Sequence, residues 1–170
     1  MRTVWESVAV YTMSETAEER IKAPPRVVYG YVANLDLAPV WRLYAIGISR
    51  DGKGPCTAGE RFTINYDRLG ERFSESYVVT TANENQELEF EMVNGNVRVL
   101  EHYQFKRAGR HTHCTISRVS YSGGALAAIK LRFVRYWVRI KLRKRVKRNA
   151  ARLCAGVETR PAHEQAADVA

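Results

Sequence analysis

The sequence is short of cysteine, short of proline and without long apolar runs, and one stretch of it contains no acid at all. Its three cysteines, Cys56, Cys114 and Cys154, stand far apart with no C-x-x-C pair. That excludes a disulfide framework and a cysteine zinc site, and points to a reducing, cytoplasmic setting. No apolar run approaches the ~18–20 residues of a membrane span. The opening MRTVWESVAVYTMSETAEER carries acids and no continuous apolar segment, so it does not read as a secretory signal. There is no P-loop, no Rossmann glycine pattern and no internal repeat. Neither a metal nor a nucleotide cofactor is expected.

The missing acids matter more. Between Lys130 and Arg152 stand eleven Lys/Arg and no Asp or Glu, leaving sixteen basic against eighteen acidic residues elsewhere. The formal charge of +9 is therefore the property of one segment on a nearly neutral domain. A nucleic-acid binder with a wholly basic face would look different, and no nucleic-acid partner is expected.

At 170 residues the chain fits one domain with a sizeable core. PPRVVYGYVANLDLAPVW (24–41) reads as one short helix and a second, with Pro24 and Pro25 at the start and Pro39 stopping or re-aiming the chain before Trp41. From about residue 44 to 121 the apolar period becomes two. Phe62, Ile64 and Tyr66 alternate with polar residues, as do Leu88, Phe90 and Met92, and Val97, Val99, Tyr103 and Phe105 share a parity. Asn94-Gly95, Leu69-Gly70 and Ala108-Gly109 mark reversals. Such a meander has one apolar face and needs a cover. A long helix after Ser122-Gly123-Gly124 supplies it, with Leu126, Ile129, Phe133, Tyr136, Trp137 and Ile140 on one arc. Beyond Lys141 that stripe fails, which predicts a basic extension leaving the core.

This order of elements, with RIKAPPRVVYGYVANLDLAPVW, resembles the START-like superfamily, also called Bet v 1-like or SRPBCC, most closely its polyketide cyclase/dehydrase branch. The resemblance rests on Ile21, Ala23, Pro24, Val27–Val28 and Tyr29, on Trp41, on GPCTAGERF, and on Tyr103 and Phe105 in VLEHYQFKRAGRHTHCTI; it covers about residues 14–150. It implies an α+β helix-grip fold, with a curved antiparallel sheet around a long C-terminal helix and an internal hydrophobic cavity. Residues 1–155 would form the domain, with 1–13 an N-terminal extension and 143–155 a basic helix extension, and 156–170 a disordered tail. The superfamily shares no universal catalytic motif, so function rests on the pocket.

If the apolar parity faces inward, Glu75 and Glu101 face inward too, and burial would raise their pKa into the range of a general acid or base. Tyr77 and Tyr103 stand beside them, and Arg118 shares the parity of Cys114 and Ile116 and could pair with either glutamate. Trp41, Phe62, Tyr66, Phe90, Phe133 and Trp137 are the candidate cavity wall, suited to a flat or polycyclic ligand. The plainer readings stand beside these: a glutamate near a strand end reaching solvent, and tyrosines that pack. His111 and His113 follow a turn and read as an exposed hairpin end, and His102 lies on the polar parity of its strand.

Two functions result. One is a cofactor-free enzyme closing, aromatising or dehydrating a polyketide-like substrate. The other is a non-catalytic carrier or sensor of a hydrophobic ligand, docking through its basic segment on an anionic membrane or an acidic carrier protein. Either would be cytoplasmic or peripheral at a membrane, as monomer or homodimer.

Overall fold

Alternating apolar residues and tight turns lay residues 45–123 down as six consecutive antiparallel strands, and an earlier strand completes the sheet. The computed structural model describes the backbone of residues 9–123 and 125–159, and the side chains of residues 12–121, 140 and 143–159. In chain order the elements are β1 (Ala9–Ile21), α1 (Pro25–Ala33), a 3₁₀ turn (Leu35–Leu37), α2 (Ala38–Trp41), β2 (Ala45–Arg50), β3 (Arg61–Arg68), β4 (Glu71–Asn83), β5 (Glu87–Asn94), β6 (Val97–Ala108), β7 (His111–Gly123) and α3 (Ala125–Glu158). The seven strands run β1-β7-β6-β5-β4-β3-β2, each antiparallel to its neighbour. This is the expected α+β helix-grip architecture.

Local chemistry explains the joints. Pro24 caps α1 in an extended conformation with Pro25 in the first turn, where no backbone donor is required. Pro39 likewise sits in the first turn of α2, so it starts that helix instead of stopping the chain, and it delivers Trp41 fully buried. The β3–β4 turn is Leu69-Gly70, both left-handed (φ 57° and 87°), with Asp67 accepting from the Gly70 N–H at 2.9 Å. At the β5–β6 turn the ladder closes on Asn94 and Val97, so Gly95 and Asn96 make the reversal, one residue later than the sequence suggests. Only Gly95 of the expected pair is left-handed (φ 56°).

Two expected boundaries move. Residues 9–13 of the expected extension belong to β1, which pairs along its length with β7. Residues 156–158 of the expected tail are the last turn of α3, tied down by Glu158, which accepts from the Lys22 backbone N–H at 3.1 Å. Residues 1–8 and 160–170 lie outside the described residues.

The larger correction concerns the basic stretch. Val146, Ala150, Leu153 and Val157 are buried, at spacings of four, three and four, together with Asn149. The helix beyond Leu142 therefore packs on the fold instead of projecting from it, while Arg143, Lys144, Lys147, Arg148 and Arg152 stay exposed on its outer side. This second apolar stripe lies about a third of a turn away from the Leu126–Ile140 stripe at 100° per residue, so in the sequence the two read as one stripe that ends. Close approach is part of the packing. A Cβ on Gly156 would collide with the Tyr31 hydroxyl on α1. Buried Asn149 accepts from the Leu43 backbone N–H at 2.8 Å, pinning α3 to the segment after α2.

Candidate functional site

The inward parity of the sheet carries both an aromatic wall and a polar cluster. Trp41, Phe62, Tyr66 and Phe90 are each at most 2% exposed. Phe62 stacks on Tyr77 and meets Phe90 edge-on, both at 5.3 Å between centroids, and Trp41 meets Tyr103 edge-on at 5.9 Å. The side chains of Phe133 and Trp137 lie outside the described residues. The apolar parity itself holds: Cys114, Ile116 and Arg118 alternate inward along β7, which resolves the direction of that strand's faces.

Glu101 on β6 is buried opposite Arg118 on β7 in the ladder, and the two form an ion pair. Arg42, which sequence reasoning missed, approaches from the segment after α2 and meets the other Glu101 oxygen at 2.6 Å. The Tyr103 hydroxyl donates to that same oxygen at 3.2 Å. Arg42 is itself 1% exposed, its guanidinium carbon 5.1, 5.2 and 5.8 Å from the ring centres of Trp41, Tyr77 and Phe90. A lone arginine after a tryptophan gives no periodic signal; only the cation–π cage made by three separate elements buries it. Buried Glu15 was missed too; it stands level with Arg118 in the β1–β7 ladder.

The electrostatics reverse one expectation. Burial pushes the Glu101 carboxyl up, but Arg42 and Arg118 outweigh it and hold its pKa at about 2. Glu101 is therefore a fixed anion at neutral pH, and the expected raised pKa does not arise there. Burial and the Glu101 charge push the Tyr77 and Tyr103 hydroxyls well above the usual phenol range, so both remain proton donors. Burial opposes the charge on Arg118 as well, and Glu101 more than offsets it.

Glu75 lies on the same face, half-buried toward the β3–β4 turn. The Tyr77 hydroxyl donates to its Oε2 at 2.6 Å, and Arg145 of α3 reaches the same oxygen at 3.4 Å. Arg145 also lies 5.2 Å from the Tyr66 ring centre, and Tyr66 stacks on Phe73 at 5.0 Å. Glu75 thus has one carboxylate oxygen engaged by a donor pair and sits where the aromatic wall meets the more exposed Phe73 (37% exposed).

The histidines lie elsewhere. His102 pairs with Glu87 at 3.0 Å on the outer face, and His111 and His113 sit near Arg20 and Glu18 on the β1 side. Among the described residues no group of three His, Cys, Asp or Glu is placed to hold a metal, and no helix is long and apolar enough to cross a membrane. A groove of about 640 Å³ is lined by Ser49, Thr63, Ser76, Val78 and Glu91, with Phe62 and Tyr77 of the aromatic wall among its other lining residues. It is open and mixed in polarity.

No protein-family model matches the chain, and no curated protein matches it in sequence. Solved structures match the fold. The di-domain ARO/CYC BexL from the BE-7585A biosynthetic pathway aligns with a TM-score of 0.72 at 16% identity, covering 92% of this chain and 53% of its own. TTHA0849 from Thermus thermophilus aligns at 0.66 and 18%, covering 86% and 97%. Ara h 8.0201 aligns at 0.60 and 13%, covering 85% and 99%. This chain spans about half the length of the di-domain protein. At these identities the likeness is one of fold alone, the helix-grip fold.

Proposed function

We propose that the protein binds a hydrophobic, cyclic or polyketide-like small molecule between the aromatic face of the sheet and α3, and catalyses its cyclisation, aromatisation or dehydration by acid/base chemistry. The observation that carries this reading is the Glu75–Tyr77 pair at 2.6 Å, at the margin of a buried aromatic wall. Of the two inward carboxylates, Glu101 is committed to its arginines, which leaves Glu75 to move a proton. Glu75 would take a proton from a carbon beside a carbonyl; that carbon would attack a second carbonyl, and the proton would return to the resulting alkoxide to give a hydroxyl. Glu75 would then take the second proton from the same carbon, and as the carbon–carbon double bond forms the hydroxyl would leave with that proton as water. Tyr77 would hold the carboxylate in position. The likeness in fold to an ARO/CYC supports this reaction class.

The test is Glu75→Gln, assayed with a synthetic poly-β-ketone thioester for aromatic product and with N-phenyl-1-naphthylamine for pocket binding. Turnover should fall by about a hundredfold or more with binding retained. Unchanged turnover removes Glu75 from the mechanism.

A second reading, a non-catalytic carrier, is favoured by the exposed Arg143, Lys144, Lys147, Arg148 and Arg152 on one side of a helix that packs by its other side. Such a face complements an anionic lipid surface. Sedimentation with vesicles rich in phosphatidylserine, but not with phosphatidylcholine alone, would support it. Capture by an acidic carrier protein without vesicle binding would reassign the surface to that partner.

A further inference from the structure

Among the described residues, the polar cluster is short of acceptors. Buried nitrogen and oxygen atoms without a hydrogen-bond partner include Trp41 Nε1, Arg42 Nη1, the Tyr66 hydroxyl, Arg118 Nε and Arg145 Nε. All five can donate, and no buried carboxylate oxygen of the cluster stands among them. Arg42 and Tyr66 are each 1% exposed. They are also electrostatic neighbours: burial raises the Tyr66 pKa while the Arg42 charge opposes that rise, and the hydroxyl stays protonated. Arg145 stands over the same ring. A buried donor left without a partner is costly, so these donors favour a group that brings acceptors.

From these donors we infer that the polar end of the ligand is an oxyanion offering acceptor atoms only, a carboxylate or an enolate, received by Arg42 Nη1 and the Tyr66 hydroxyl. A planar guanidinium edge and a phenol suit two oxygens sharing one charge. An amide or an alcohol would bring its own N–H or O–H against donors and lose that match. This inference rests on the reading of the aromatic face as a ligand pocket, and goes beyond it by naming what the ligand must carry.

The experiment is displacement of N-phenyl-1-naphthylamine by 2-naphthoate and by its near-isostere 2-naphthamide. Naphthoate should displace about tenfold better or more. Tyr66→Phe and Arg42→Gln should each erase most of that preference, read as the ratio of naphthoate to naphthamide displacement within each variant. If Arg42→Gln does not fold, the conservative Tyr66→Phe decides alone. Equal displacement by the two competitors overturns the oxyanion and leaves the pocket standing. A preference that survives the substitutions overturns the assignment to Arg42 and Tyr66. Failure of N-phenyl-1-naphthylamine to bind the folded wild-type protein overturns the pocket reading, and the inference with it.

Discussion

Glu101 and Arg118 face each other across neighbouring strands and are both buried, so an ion pair lies inside the core, completed by Arg42 from the segment after a short helix. Buried charges tolerate no loss of a partner. Glu101→Gln should leave two guanidiniums without their shared anion and destabilise the protein by about 3–5 kcal/mol, read by urea unfolding at pH 7.

The same pair sets a pH dependence. The folded pKa of Glu101, about 2, lies below the ordinary carboxylate value of 4.5. Its contribution is therefore fully present above about pH 4.5 and is lost as pH falls from there toward 2, on the order of 3 kcal/mol in all. Melting temperatures of wild type should drop across this window, and the Glu101→Gln profile should be flatter there.

Gly156 offers a test of helix docking. In an exposed helix, Gly→Ala stabilises by about 1 kcal/mol. Here the new methyl meets the Tyr31 hydroxyl, and Gly156→Ala should destabilise by about 1–3 kcal/mol. Adding Tyr31→Phe should recover part of the loss, as measured by a double-mutant cycle.

Leu153 and Lys147 separate core from surface on one helix. Leu153→Ala should cost about 2–5 kcal/mol because Leu153 is fully buried. Lys147→Ala should stay within about 0.5 kcal/mol. Ending the chain after Leu142 removes Val146, Ala150, Leu153 and Val157 from the core and should abolish the cooperative thermal transition.

Asn149 holds the backbone beside Arg42. Asn149→Ala should lose the bond to the Leu43 N–H and about 1–3 kcal/mol of stability. If it also frees Arg42, the naphthoate preference should shrink with it, measured in the same displacement assay.

Much of this was legible in the residues. Period-two alternation in Phe62–Tyr66 and Leu88–Met92, and the inward parity of Glu101, Tyr103 and Arg118, are properties of any strand with one face in a core, because side chains alternate sides. The α3 boundary was not legible, since two apolar stripes out of phase on one helix look like a stripe that ends. Nor was the fate of Glu101: its inward direction follows from parity, but its pKa depends on which cations reach it.

The sequence by itself determined the meander, its reversals, the covering helix and the set of inward residues, because these follow from local periodicity and turn chemistry. Tertiary structure alone decided that Arg42 enters the core, that Glu101 is a fixed anion while Glu75 stays near the margin, and that the basic stretch of α3 is packed on one side. Each of these depends on groups distant in the chain meeting at hydrogen-bond or ring-contact distance, and no local pattern encodes such a meeting.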